Sequence, residues 1–433
     1  MANRNNPFLL LAFLLCSSLF VISEAQKNGP SGIIDGIKTY EVELPMNLSG
    51  TTRNWRIWGT DLLSTRLFPG VDSERNVYIG CSSSENNGYV FKVDPLNHTI
   101  IAQHSFPNHH VRGLYVHQDG SYGALLWNPK TYNISVAKVN SANQEVWRSE
   151  LYHNYAVPDD FGIGDSRLEY GGGKYYAYYH VHGVGDFAEG HEGDAYFSVD
   201  DSGNVKNIWG WGCSHSMSNL LRFHPETNKT IAICDSDAYP GLGIFTENSN
   251  LIYNAPGNMG GSTAAELGGV EIGKNGTWIL VFNALQPERN SKTYDKFKEN
   301  QDIGLAFISS EKEKISVKFL TKTKKINEDD SCIVRLEDEN RYLLGWKSGT
   351  DYLLSIINSE GKFVVKPVNV TDYTKWGNRD DSFRRFNDGS VAWLYAPNSY
   401  GNKVVVTEFV APQSGASINV PFVYLLVALM FLL

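Results

Sequence analysis

VRGLYVHQDGSYGALLWNP, from Val111 to Pro129, is two β-rich runs joined across an Asp-Gly turn. Asp-Gly between apolar, aromatic and β-branched residues is a hairpin signal. The same form returns along the chain in SFRRFNDGSVAWLYAPN (Ser382 on), DSRLEYGGGKYYAYYH (Asp165 on) and SNLLRFHPETNKTIAICD (Ser218 on). It returns again in GGVEIGKNGTWILVFNA (Gly268 on) and SCIVRLEDENRYLLGW (Ser331 on), and more loosely in STRLFPGVDSERNVYIGC (Ser64 on). Second hairpins follow, among them GYVFKVDPLNHTIIAQHSF, DAYFSVDDSGNVKNIWGW and DYLLSIINSEGKFVVKPVNV. The repeat is about 50 residues, a length at which stacked sheet units are expected. One longer gap falls around QPERNSKTYDKFKENQD.

Four strands per unit, repeated about seven times, resembles the seven-bladed β-propeller superfamily. The signatures of its named subfamilies, Gly-His with Trp-Asp or a regular double glycine, do not occur. The resemblance implies an all-β fold with a single propeller over residues 26–413. Its last unit ends after a third strand, NKVVVTEFV, and the early segment IKTYEVELPM is expected to supply the missing outer strand. Such closure protects the edge strands of the ring. Trp-Gly recurs where one unit passes to the next, in NWRIWGTDLLSTRLF, NIWGWGCSHSMSNLLRF and YTKWGNRDDSFRRF. Trp209 and Trp211 are expected to pack between blades.

The ends point to the outside of the cell. Residues 1–25 read as a secretory signal peptide, with Arg4 before an apolar run and Ser23-Glu24-Ala25 at the cleavage site. Residues 414–433 read as a GPI-anchor signal, with Ser414 the attachment residue before a short uncharged apolar tail. Sequons at Asn47, Asn97, Asn133, Asn228, Asn275 and Asn369 mark glycosylation sites in a chain that passes through the secretory route. The formal charge is −9, a poor match for nucleic acid. The partners expected are an extracellular protein or glycan, and the plasma membrane through the lipid anchor. Cys213 and Cys234 are expected to form a disulfide; Cys81 and Cys332 fall in non-neighbouring units, which leaves them as candidate free thiols.

In a propeller, the crossovers between blades and the loops after second strands share one face. That face gathers His109, His110, Asp165 and His215 from crossovers, and His180, His182, Asp235 and Asp237 from second-strand ends. Arg112 and Arg167 enter from first strands, which line the channel. These ten are the candidate ligand-binding residues. Sequons Asn228 and Asn275 sit in turns of the opposite face. His180 and His182 share one side of a strand, so with His215 and Asp165 they could ligate a metal, although a hydrogen-bonding patch is the commoner role of such a pair. No cofactor is implied. Arginines recur in first strands at Arg66, Arg112, Arg167, Arg335 and Arg384. They could fork onto a carboxylate, sulfate or phosphate, but DSR, DDSC and DDSF favour internal pairing with Asp165, Asp330 or Asp381. No nucleophile or phosphate-loop motif occurs. Two functions follow. One is a GPI-anchored recognition or adhesion propeller that binds a protein or glycan through this gathered face, since glycans on Asn228 and Asn275 would obstruct the opposite one. The other is an extracellular hydrolase or transferase using His215, His180 or His182, with Arg167 or Arg112 holding charge.

Overall fold

A computed structural model describes residues 30–49, 52–55, 61–64, 66–151, 156–157, 166–183, 192–213, 219–236, 243–254, 265–287, 301–336, 340–376 and 381–412. Seven antiparallel sheets, each with a core of four strands, in sequence order in six of them, stand around a channel. Blades 1 to 6 begin with the inner strands Phe68–Val71, His110–Val116, Ser166–Gly171, Asn219–His224, Ala265–Ile272 and Glu328–Arg335. Blade 7 has Arg384–Arg385, Val391–Tyr395 and Lys403–Phe409, and takes its outer strand from the other end of the chain. Ile37–Glu43 pairs along its whole length with Lys403–Phe409, from Ile37 opposite Phe409 to Glu43 opposite Lys403. The closure expected from IKTYEVELPM is present. A further hairpin, Thr52–Trp55 with Asp61–Ser64, stands apart from the blades.

The turns follow from their side chains. In blades 2 and 7 the Asp-Gly-Ser turns are built alike: Ser121 donates its N–H and hydroxyl to Asp119, as Ser390 does to Asp388. Gly120 and Gly389 there have φ of 80° and 79°, a region glycine enters without strain. At or just past the end of each third strand stands a residue whose side chain accepts the backbone of the next turn: Asp94, Asn140, Asp200, Thr246, Ser309 and Asn358 in blades 1 to 6. These are the short polar side chains that mimic a backbone turn.

The core is divided among the seven contacts between neighbouring blades, one apolar cluster to each. Phe68, Leu114 and Leu126 join blades 1 and 2; Leu125, Leu168 and Phe197 join blades 2 and 3. Tyr178, Leu221 and Phe245 join blades 3 and 4; Ile233, Trp278 and Phe282 join blades 4 and 5. Ile279, Tyr342 and Trp346 join blades 5 and 6; Leu354, Phe383 and Trp393 join blades 6 and 7. Tyr40, Ile79 and Val404 close the circle between blades 7 and 1. The recurring crossover tryptophans serve these clusters. Trp376 is buried, meets Phe383 and Trp393 edge-on, and donates its indole N–H to the Asp330 carbonyl at 2.9 Å. Trp209 stacks on Tyr178 between blades 3 and 4; the Trp211 side chain lies outside the described residues. Cys213, just past the outer strand of blade 3, is bonded to Cys234 in the second strand of blade 4 with Cα atoms 6.3 Å apart. The expected disulfide therefore fastens one blade's end to the next blade. Cys81 and Cys332 are buried, and neither forms a disulfide with a described cysteine.

Candidate functional site

Inner strands carry the residues that reach the axis. In blades 3 to 6 the same place near the strand's end holds a charge of alternating sign: Glu169, Arg222, Glu271, Arg335. Blade 7 adds Arg384 and Arg385, and blade 2 places Tyr115 there. Neighbouring unlike charges attract around the ring. Arg222 lies 3.3 Å from Glu169 and donates from Nε to the Val270 carbonyl at 2.9 Å. It also reaches across the channel to Asp381 at the start of blade 7. Arg384 donates to the Asp381 carbonyl at 2.7 Å and lies 3.3 Å from its carboxylate. The Asp381 N–H donates to the Gly268 carbonyl of blade 5 at 2.7 Å. Asp381 itself has φ 59°, a conformation that Asp adopts more readily than most residues.

Beyond this cross-brace a cavity of about 420 Å³ occupies the channel. It lies toward the first-hairpin turns, since Gln118 and Pro225 of those turns line it. That volume is within the roughly 300–1,000 Å³ of small-ligand sites. Its walls differ. Tyr115, Tyr170 and Phe223 of blades 2 to 4 give an aromatic side; Arg335, Arg384 and Arg385 of blades 6 and 7 give a cationic side. Four arginines face two glutamates in the lining. Burial pushes the Glu169 carboxyl up to about 7, only partly opposed by Arg222 and Arg384, so near neutral pH it is divided between its two forms. Arg385 is exposed, donates to the Leu336 carbonyl at 3.3 Å, and forms no ion pair with a carboxylate among the described residues.

The residues singled out in the sequence lie elsewhere. His110, Arg112, Arg167, His180 and Asp235 are all buried. His110 meets Asn86 Oδ1 at 2.9 Å and packs edge-on against Trp127; burial, then Arg112 and Arg66, push its pKa down to about 3, which keeps it neutral. Arg112 lies over the same Trp127 ring at 4.9 Å. Arg167 donates to the Ser166 carbonyl at 3.0 Å. His180 stands opposite Asp194, and Asp235 opposite Ile244. His109 is half-buried, its Nδ1 2.7 Å from the Pro107 carbonyl, and burial lowers its pKa. Asp165, His215, Asp237 and the side chain of His182 lie outside the described residues, as do Ser414 and both terminal signals. The metal grouping of His180, His182, His215 and Asp165 therefore cannot be assembled from described side chains. Among those described, Asp194, Cys213 and Cys234 are the potential ligands that come together, with the two sulfurs already bonded to each other. Of the arginine pairings expected, Arg384 with Asp381 is formed. All six sequon asparagines are exposed.

Glu169, Arg222, Glu271 and Arg385 were missed as site residues. Their signal is a charge at a recurring place in the inner strand, as in RLEYG, NLLRFH, GVEIG and FRRF. It becomes visible only when the repeats are aligned by their turns.

No known family model matches the chain, and no curated protein matches it. Among solved structures it is similar to Kuenenia stuttgartiensis hydrazine synthase: 12% identity over 82% of this chain and 99% of that one, TM-score 0.50. It is also similar to the β-propeller domain of Myceliophteria thermophila Cps50 (Swd1): 8% identity over 85% and 99%, TM-score 0.43. The likeness to the hydrazine synthase is one of fold alone. The remainder of the site stands on its own geometry.

Proposed function

We propose that this chain is a recognition propeller held at the outer cell surface by a C-terminal lipid anchor, binding an extracellular protein or glycan. The observation that carries this reading is the axial cavity. It sits at one end of the channel, backed by the Arg222–Asp381–Arg384 brace, with an aromatic wall facing a cationic one. Propellers commonly bind at the mouth of the channel, where loops and strand ends from several blades converge. The mouth proposed here is the one bordered by the first-hairpin turns, not the opposite face expected from the sequence, and the exposed sequons Asn228 and Asn275 lie in turns at this same end. The cell-surface part of the reading is supported by the signal-peptide pattern, the six exposed sequons and the small-residue and apolar tail. The test has two parts. The full chain expressed in animal cells is expected at the surface and is expected to be released by a phospholipase that cleaves GPI. The released protein, applied to arrays of glycans and extracellular proteins, is expected to give a signal that Arg384→Ala with Arg385→Ala abolishes. Retention after phospholipase treatment would refute the anchor; a signal indifferent to both substitutions would refute the channel as the binding site.

A further inference from the structure

The two walls of the cavity ask for a ligand with two chemistries. Blades 6 and 7 stand across the ring from blade 3, so Arg385 and Arg384 face the side that bears Tyr115 and Tyr170. The Tyr115 and Tyr170 rings are 5.6 Å apart and tilted by 40°, and both are half-buried and line the cavity. Such rings receive the apolar C–H face of a sugar. Guanidinium groups on the opposite wall receive a planar or tetrahedral oxyanion by paired N–H donors. Among the described residues Arg385 makes one long bond, to the Leu336 carbonyl. An overall acidic protein thus concentrates positive charge at one interior point, which selects anions by their position in the channel and not by the protein's net field.

We propose that the cavity binds a pyranose carrying one negative charge, either the carboxylate of a uronic acid or a sulfate ester, with the ring on Tyr115 and Tyr170 and the anion on Arg385 and Arg384. This rests on the recognition reading and names the ligand class for its site. The pocket depth suits one terminal sugar, not the middle of a chain, because the Arg222–Asp381 brace spans the channel behind it.

Calorimetry on the full chain, purified from cell membranes, tests this with methyl glucuronide and galactose 6-sulfate. Methyl glucoside and galactose are the neutral parents; acetate, inorganic sulfate and an acidic peptide are the sugar-free anions. One of the two anionic sugars is expected to bind at least tenfold more tightly than its parent and than any sugar-free anion. The preference between them identifies carboxylate or sulfate. Arg385→Ala is expected to reduce that affinity at least tenfold and Arg385→Lys to restore part of it, with the melting temperature unchanged because the side chain is exposed. The proposal is overturned if the neutral parents bind equally, if the acidic peptide or a free anion binds as tightly, if Arg385→Ala has no effect, or if neither anionic sugar binds. Release from the surface by phospholipase is scored on the same preparation. A released chain that binds array ligands through Arg384 and Arg385 but neither sugar would refute the ligand class and leave the recognition reading standing.

Discussion

At the scale of single residues, the channel is governed by how few acids hold its arginines. Arg222 depends on two, Glu169 and Asp381. Near pH 7 Glu169 is only partly ionised, and Asp381 stands nearer to Arg222 than Glu169 does. Asp381→Ala is expected to destabilise the fold by about 3–5 kcal/mol, the usual effect of stranding one charge of a buried pair. Asp381→Asn keeps a residue suited to φ 59° and a hydrogen-bond acceptor, so its effect should be smaller. Urea titration of the two variants measures this: equal losses would show that the lost charge alone sets the cost and would refute a part for the φ and the retained acceptor. Glu169 gives the opposite sign of pH dependence from an ordinary paired carboxylate. Its pKa rises from 4.5 to about 7 on folding, so the stabilisation from its bound proton is complete below about 4.5 and is lost as pH rises through about 7. Glu169→Gln should therefore flatten the fall in stability between pH 5 and pH 8 by about 1–3 kcal/mol, at 1.36 kcal/mol per pH unit. Melting curves across that range check it; parallel curves for parent and variant would rule Glu169 out as the source.

At the scale of strands and turns, crowding at the axis decides what the inner strand can hold. Gly171 ends the inner strand of blade 3, and a Cβ there would lie 2.1 Å from the Phe223 ring of blade 4. Neither strand can back away without loosening its own blade. Gly171→Ala should cost about 1–3 kcal/mol by overpacking, and adding Phe223→Leu should recover part of the loss. A double variant no more stable than Gly171→Ala alone would show that the ring is not the obstacle. The same crowding explains what could be read in advance. Asp-Gly and Gly-Gly turns, aromatic strands and the Trp-Gly crossovers are local signals, and from them the blade count, the ring closure and the Cys213–Cys234 bond were legible. The cavity was not, because each inner strand contributes one charge, and Glu169 or Arg222 alone looks like a surface residue of a short strand. His180 and Arg112 drew notice for their residue type, but burial depends on which neighbours pack over them, and blades adjacent in space supply those neighbours.

At the scale of the whole molecule, the closed ring sets how stability is shared. An open stack of repeats can fray from its ends, because each unit is held by its neighbours alone. Here blade 7 is completed by Ile37–Glu43, and the Tyr40, Val42 and Leu44 side chains enter the cluster between blades 7 and 1. Val410 donates to the Gly36 carbonyl at 3.0 Å, which ties the first described turn to the end of the last strand. A fault in that strand is therefore felt at both sides of the joint. Val42, 2% exposed, faces the cluster. Val42→Asp should cost about 3 kcal/mol or more, as an unpaired charge among apolar groups. The loss should appear as one cooperative transition at lower denaturant, seen together by tryptophan fluorescence and by circular dichroism. The tryptophans make this discriminating: Trp376 and Trp393 report blades 6 and 7, Trp127 and Trp278 report blades 2 and 5. If the blades were independent, Trp376 and Trp393 would lose their buried signal first and Trp127 and Trp278 would hold to the parent midpoint. Coincident loss at all four means that the strand from the chain's beginning fastens the entire ring, the cavity included.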